Sequence, residues 1–326
     1  MLKFTFVFLI TSIILIIFSP VKIFADTIYC SAVPLVCNGT PADDTIWGEQ
    51  GIDTTSGGSG NDNIFGHDGN DKTFHGDLGN DYFQGGFGND SGFYGDEGDD
   101  DLYGEEGNDV GFDGGAGNDE LLGGQGNDID FQGGSGNDII KGESGDDMGM
   151  QGGDGNDTLY GNEGNDSLEG GNNVDVLLGG DGMDRISGNN GSDWMDGGTG
   201  SDLANGGNGN DIINGDLGND NMFYGGPGND SISGGPGNDY ELDGEIGNDS
   251  INGGPGNDWE LQGGDGSDVI YGGSGDDGLD HGDSFSETPD GGRDFIDCGQ
   301  GWDIAWLNII EGDRAINCEI VYDGIS

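Results

Sequence analysis

The sequence predicts an all-β fold: a two-sheet parallel β-solenoid of about 12 coils, each of about 18–19 residues. Three observations predict it. A Gly-x-Asp core recurs at steps of only 9 or 10 residues. Each repeat divides into a glycine-rich turn and a short segment centred on one apolar residue. The array offers no apolar periodicity of helical length.

The composition sets the problem that this fold must solve. The chain has 326 residues, 76 of them Gly, with 65 Asp plus Glu against 7 Lys plus Arg, for a formal charge of −58. A chain this acidic and only 31% hydrophobic remains disordered unless a cation neutralises its carboxylates in regular positions. Its charge also excludes nucleic acid as a partner, because phosphate binding needs clustered Lys and Arg.

In chain order, residues 1–25 read as an export signal. Lys3 precedes the apolar run from Phe4 to Phe18, and Ile23-Phe24-Ala25 offers a cleavage site. Losing Lys3 and Lys22 would carry the charge from −58 to about −60. Residues 26–57 hold Cys30, Cys37 and degenerate repeats, and are expected to form an N-terminal cap. Residues 58–279 are the array. Residues 280–326, with Cys298 and Cys318, are expected to cover the last coil. An even cysteine count in an exported chain suggests disulfides. A 12-coil rod separates the two ends by more than ~50 Å, so each pair must close locally, Cys30 with Cys37 and Cys298 with Cys318.

The repeat Asp residues are Asp62, Asp71, Asp81, Asp90, Asp100, Asp109, Asp119, Asp128, Asp138, Asp147, Asp157 and Asp166, then, after an Asn-for-Gly replacement at Asn173, Asp175, Asp184, Asp193, Asp202, Asp211, Asp220, Asp230, Asp239, Asp249, Asp258, Asp268 and Asp277. Asp44 and Asp53 extend the spacing upstream in weaker form, and Asp294 and Asp303 do so downstream. Within a unit such as Gly57-Gly58-Ser59-Gly60-Asn61-Asp62, Gly supplies positive φ and Asn tolerates the left-handed region. The following residues suit one short strand whose central side chain points inward. Alternate units then give two inward columns. One runs from Ile64 and Phe83 to Ile270, the other from Phe74 and Phe93 to Leu279. The 10-residue steps fall after Asp71, Asp90, Asp109, Asp128 and Asp147, and again after Asp220, Asp239 and Asp258. They are missing after Asp166, Asp184 and Asp202. One inserted residue in a strand is a bulge, so an interrupted ridge of bulges is expected on one sheet only.

Stacking places Asp62, Asp81 and Asp100 along one edge and Asp71, Asp90 and Asp109 along the other. Uncompensated carboxylates a strand spacing apart would force the coils open. A hard cation that takes six to eight oxygens resolves this, with Asp carboxylates and Gly-turn carbonyls as donors. An all-oxygen donor set disfavours zinc and copper, and the strict octahedron of magnesium fits less well than the looser shell of calcium.

The repeat resembles the RTX, or hemolysin-type, calcium-binding nonapeptide. Gly114-Gly115-Ala116-Gly117-Asn118-Asp119-Glu120-Leu121-Leu122 meets its pattern, as does the stretch around Asp230. The resemblance covers residues 58–279 and implies a parallel β-roll, calcium between consecutive turns on each edge, and secretion. Several units depart from it by carrying Asp, Glu or Asn for one leading Gly, as at Asp96 and Asn189. The flanks are too short for the protease, lipase or toxin module often attached to such arrays, so no enzymatic activity is expected. Some RTX-like rolls bind ice through a regular Thr row, and Thr73, Thr158 and Thr199 form none.

His67, His75 and His281 form no zinc motif, and His67 and His75 fit solvated positions in or beside turns. Tyr82, Tyr103, Tyr160, Trp194, Tyr240, Trp259 and Tyr271 flank inward positions and are expected to face outward. The chain is therefore expected to be a secreted monomer, extracellular or at the cell surface, that folds on about 20 calcium ions. A role as an adhesin or surface-layer component that binds glycans or cell surfaces is the alternative.

Overall fold

The computed structural model describes residues 25–30, 35–48, 53–280, 292–307 and 312–323. Most of the expected export signal, and His281, lie outside these residues.

The backbone winds as a parallel two-sheet solenoid with no helix among the described residues. Among the described residues one sheet carries 16 strands in strict coil order, from Thr27–Tyr29 through Asn63–Asp68 and Tyr82–Phe87 to Arg314–Ile316. The other begins with Leu35–Asn38 and Asp53–Ser59. It continues through Lys72–Leu78 and Ser91–Glu97 and ends with Ile304–Leu307 and Ile320–Asp323. Each strand pairs in parallel with its equivalents one coil before and after, at offsets such as Phe83↔Leu102 and Phe93↔Phe112.

The regular register extends past the 12 expected coils to about 14. Thr45–Trp47 pairs with Asn63–Phe65 ahead of the array, and Phe295–Gln300 and Ile304–Leu307 continue the two sheets beyond it. The flanks have weak repeats but keep the inward residues Ile46, Ile296 and Ala305, which are fully buried, so they stack as further coils.

Both expected inward columns form the core. Ile64, Phe83, Leu102 and Leu121 face Phe74, Phe93, Phe112 and Phe131 across a space one side chain deep. In the second column Phe74, Phe93, Phe112 and Phe131 stack ring on ring, with centroids 5.0, 4.7 and 4.6 Å apart. The strand spacing of about 4.8 Å suits parallel aromatic stacking, which adds to area burial.

The bulge ridge lies where the 10-residue steps place it. Thr73, Gly92, Gly111, Asp130 and Gly149 adopt left-handed φ of 62°, 75°, 80°, 67° and 72°, and Met222, Glu241 and Glu260 follow at 55°, 61° and 57°. All belong to the second sheet, whose register skips them: Val110↔Ile129 is followed by Phe112↔Phe131. The strands Ser167–Asn172, Arg185–Asn190 and Leu203–Asn208 pair without a skip.

Candidate metal centres

Two rows of Asp side chains occupy the turns where the chain passes between sheets, one row per edge. All the repeat Asp residues from Asp62 to Asp277 are buried, with no more than 3% exposure. Asp44, Asp294 and Asp303 join the same rows. They line the two edges in the expected order, and their side chains turn inward from them. The reason is a hydrogen bond: Oδ1 of each Asp accepts the backbone N–H of the equivalent Asp one coil earlier. Asp81 takes the Asp62 amide at 2.7 Å, Asp100 that of Asp81 at 2.7 Å, and Asp90 that of Asp71 at 2.7 Å. The rows finish on substitutes from the last coil, where Asp313 takes the Asp294 amide and Glu319 that of Asp303.

The second carboxylate oxygen has no such bond. Oδ2 of Asp81, Asp100 and Asp119 on one edge, and of Asp90, Asp109 and Asp128 on the other, is buried without a hydrogen-bond partner. A buried charged oxygen left in this state is costly. Burial accordingly pushes Asp81, Asp109, Asp119 and Asp147 up to about 7. The amide bond from the preceding coil opposes the shift, and the carboxylates one coil away add to it.

Glycine makes room for this oxygen. A Cβ on Gly95 would lie 2.4 Å from Asp100 Oδ2 and 2.5 Å from the carbonyl oxygen of Gly114 in the next coil. A carboxylate oxygen and a carbonyl oxygen thus converge on one side of a bare Cα, and the pattern repeats at Gly104 with Asp109 and Gly123. This donor chemistry fits a hard divalent cation. Among the described residues no three His, Cys, Asp or Glu side chains converge, so a cation here would complete its shell from carbonyls and water.

A second glycine sets the closeness of the turns. A Cβ on Gly117 would stand 1.5 Å from the Gly98 carbonyl oxygen, and Gly117 has φ of 152°. The same clash recurs up both edges. Within the 58–279 array Asn173 alone takes this place with a side chain, at φ 77°. The substituted leading positions are left-handed as well, with Asp96 at 73° and Asn189 at 70°.

The turns hold a further ladder that sequence reasoning missed. The residue before each Asp is exposed, and its side-chain oxygen accepts the amide of its equivalent one coil later. Asn61 takes the Asn80 amide, Asp99 that of Asn118, and Asn118 that of Asn137. This ladder runs opposite in polarity to the Asp row. Its signal was the steady Asn in Gly-Asn-Asp, which had been read only as a turn former. Val174 and Met183 interrupt it, since neither can accept, and at Ser201 the Asn219 amide turns to the Gly200 carbonyl instead.

Other singled-out residues fall as follows. His67 stacks on Trp47, and His75 stacks on Tyr94 and meets Asp96 at 3.2 Å, so both do more than face solvent. Tyr82, Tyr103 and Tyr160 face outward half-buried, while Trp194, Tyr240, Trp259 and Tyr271 are exposed. Disulfides join Cys30 to Cys37 and Cys298 to Cys318, with Cα separations of 6.2 and 5.2 Å.

No curated protein matches the sequence. The crystal structure of a hyperactive, Ca2+-dependent, beta-helical antifreeze protein from an Antarctic bacterium aligns with a TM-score of 0.35 and 19% identity, over 89% of this chain and 86% of that one. The RTX calcium-binding nonapeptide repeat matches at residues 38–72, 75–111, 94–130, 130–148, 151–186, 187–222, 224–259 and 260–284. With matches over most of its length, the chain belongs to the RTX calcium-binding nonapeptide repeat family.

Proposed function

We propose that the protein is a secreted, calcium-folded rod whose Asp rows, Asp62 to Asp277, supply the carboxylate ligands. The observation that carries this reading is the buried, unbonded Oδ2 repeated up both edges beside a neighbouring glycine carbonyl. A divalent cation would supply the missing positive charge. The Asp side chains would contribute Oδ2 while Oδ1 keeps its amide, so ligation and coil stacking use the two oxygens of one carboxylate. Because each donor pair spans two coils, the sites exist only in the stacked state, and binding stabilises that state by mass action.

Eleven gaps per edge in the 58–279 array allow about 22 ions if each gap holds one. Their charge of about +44 would reduce about −60 to about −16. Export is supported by the apolar N-terminal run and by cysteines that pair within each end. Elemental analysis of the calcium-equilibrated chain, with circular dichroism before and after chelation, tests the reading. About 20 ions per chain and loss of β-structure on chelation are expected. A compact rod that persists without calcium would overturn it.

A second reading, adhesion or surface-layer assembly on glycans, is favoured by the exposed rings of Trp194, Tyr240, Trp259 and Tyr271. Retention of the calcium-loaded chain on a glycan array, lost on changing these rings to Ser, decides it.

A further inference from the structure

The interruption in the bulge ridge has a shape and a charge of its own. Over the three unbulged strands Ser167–Asn172, Arg185–Asn190 and Leu203–Asn208, no extra backbone covers the core. The result is a groove of about 310 Å³ on the outer face of the second sheet. Its outward-facing lining sets Ser167, Ser187 and Asn205 beside the apolar side chains of Leu203, Met222 and Tyr224, while Leu168, Ile186 and Ala204 beneath them face the core. Leu203 and the left-handed Met222, where the ridge resumes, form the apolar wall.

Arg185 stands in the middle, paired in register with Ser167 and Leu203. It is exposed, and no described carboxylate lies within ion-pair distance of it. The nearest acid in the groove, Glu169, is engaged elsewhere: its oxygens accept Gln151 Nε2 at 3.2 Å and Asn189 Nδ2 at 3.1 Å. Tyr224 turns its hydroxyl away to Glu241. An apolar wall beside one unneutralised guanidinium complements an apolar group that ends in an anion.

We propose that this notch binds a small monoanionic amphiphile, an aryl or alkyl chain ending in a carboxylate. A single charge is the limit that the protein's own field sets, since repulsion from the acidic rod grows with each further negative charge on the ligand. The site lies on a sheet face between the two edges, with Arg185 next in sequence to Asp184 and Leu203 next to Asp202.

The test uses the calcium-saturated chain and two soluble probes of equal shape, 4-phenylbutyrate and 4-phenylbutanol, measured by ligand-observed NMR. The wild-type chain is expected to prefer the carboxylate by about fivefold, the upper range for an exposed ion pair. Arg185→Gln should abolish that preference while it leaves alcohol binding intact. Lys141→Gln, which removes a cation held by Glu120 on the other sheet, should leave the preference unchanged. Leu203→Ser should weaken both probes about tenfold through lost apolar contact. No binding of either probe, an equal or reversed preference in the wild type, or a preference that survives Arg185→Gln would overturn the proposal. So would concentration-dependent self-association abolished by Arg185→Gln, since a second copy would then fill the notch.

Discussion

Acid should partly replace calcium. The perturbation is protonation of the buried Asp rows in calcium-free buffer. Asp119 illustrates the magnitude: burial raises it from 3.8 to about 7. Because the folded value lies above the unfolded one, folding is penalised most above pH 7, and the penalty vanishes below 3.8. The calcium-free roll therefore gains stability as pH falls through this window. Taken whole, the shift corresponds to ~4 kcal/mol, and water reaching the turn reduces it to about 1–2 kcal/mol. Asp81, Asp109, Asp147, Asp175, Asp184, Asp220, Asp249 and Asp258 are likewise pushed to about 7. Together these carboxylates cost about 10–20 kcal/mol at neutral pH, enough to cancel the stability of an ordinary domain. The calcium-free chain should thus be expanded at pH 7.5 and compact with β-structure by pH 5. That end point still lies above the isoelectric point near 4.1, where precipitation would obscure the result. Small-angle scattering and far-ultraviolet circular dichroism in metal-free buffer give the readout. A chain equally expanded at pH 7.5 and pH 5, or one that condenses only near pH 4 where ordinary exposed carboxylates titrate, would refute the argument.

Further outcomes test the geometry. Gly117→Ala drives a Cβ into the Gly98 carbonyl, so the calcium-loaded thermal midpoint should fall sharply, by more than about 3 kcal/mol of stability. Asn173→Gly removes the array's one side chain from that stack and should stabilise the loaded roll by about 1 kcal/mol in the same melt. Deleting the bulge residue Gly111 turns a 19-residue offset into the 18-residue offset already used at Arg185 and Leu203, and calorimetry should register a change of less than about 1 kcal/mol. Reduction of both disulfides should raise hydrogen exchange near Cys30–Cys37 and Cys298–Cys318 only, because each bridge closes within its own end.

The sequence announced the solenoid, both core columns and even the gap in the bulge ridge, because each follows from a period that the backbone must obey. One residue more or fewer per coil has a single place to go in a register as strict as Val110↔Ile129. The direction of the Asp side chains was not legible. It depends on an amide in a different coil, and the spacing of Asp62 and Asp81 cannot tell a row that faces water from one that turns inward. The Asn ladder escaped for a related reason: a turn former and an acceptor for the next coil look alike in one strand of text. The flanking coils were legible only as spacing: Asp44 and Asp294 keep the period and the role while their neighbours have lost the Gly-Asn-Asp signature.

The amide-to-carboxylate row makes the rod a polymer with unlike ends. Each coil's Asp amide is satisfied only by the coil that follows it, as Asp100 satisfies Asp81 and Glu319 finally satisfies Asp303. Cutting coils from the front leaves a carboxylate oxygen facing water, which hydrates it readily. Cutting them from the back strands a buried N–H donor, which water reaches poorly. A coil copied into the middle disturbs neither terminus, since it arrives with one acceptor to offer and one donor to be met. Duplication and loss of interior repeats can therefore change the length of the rod freely, while its last coil, with Asp313 and Glu319, has no interchangeable substitute.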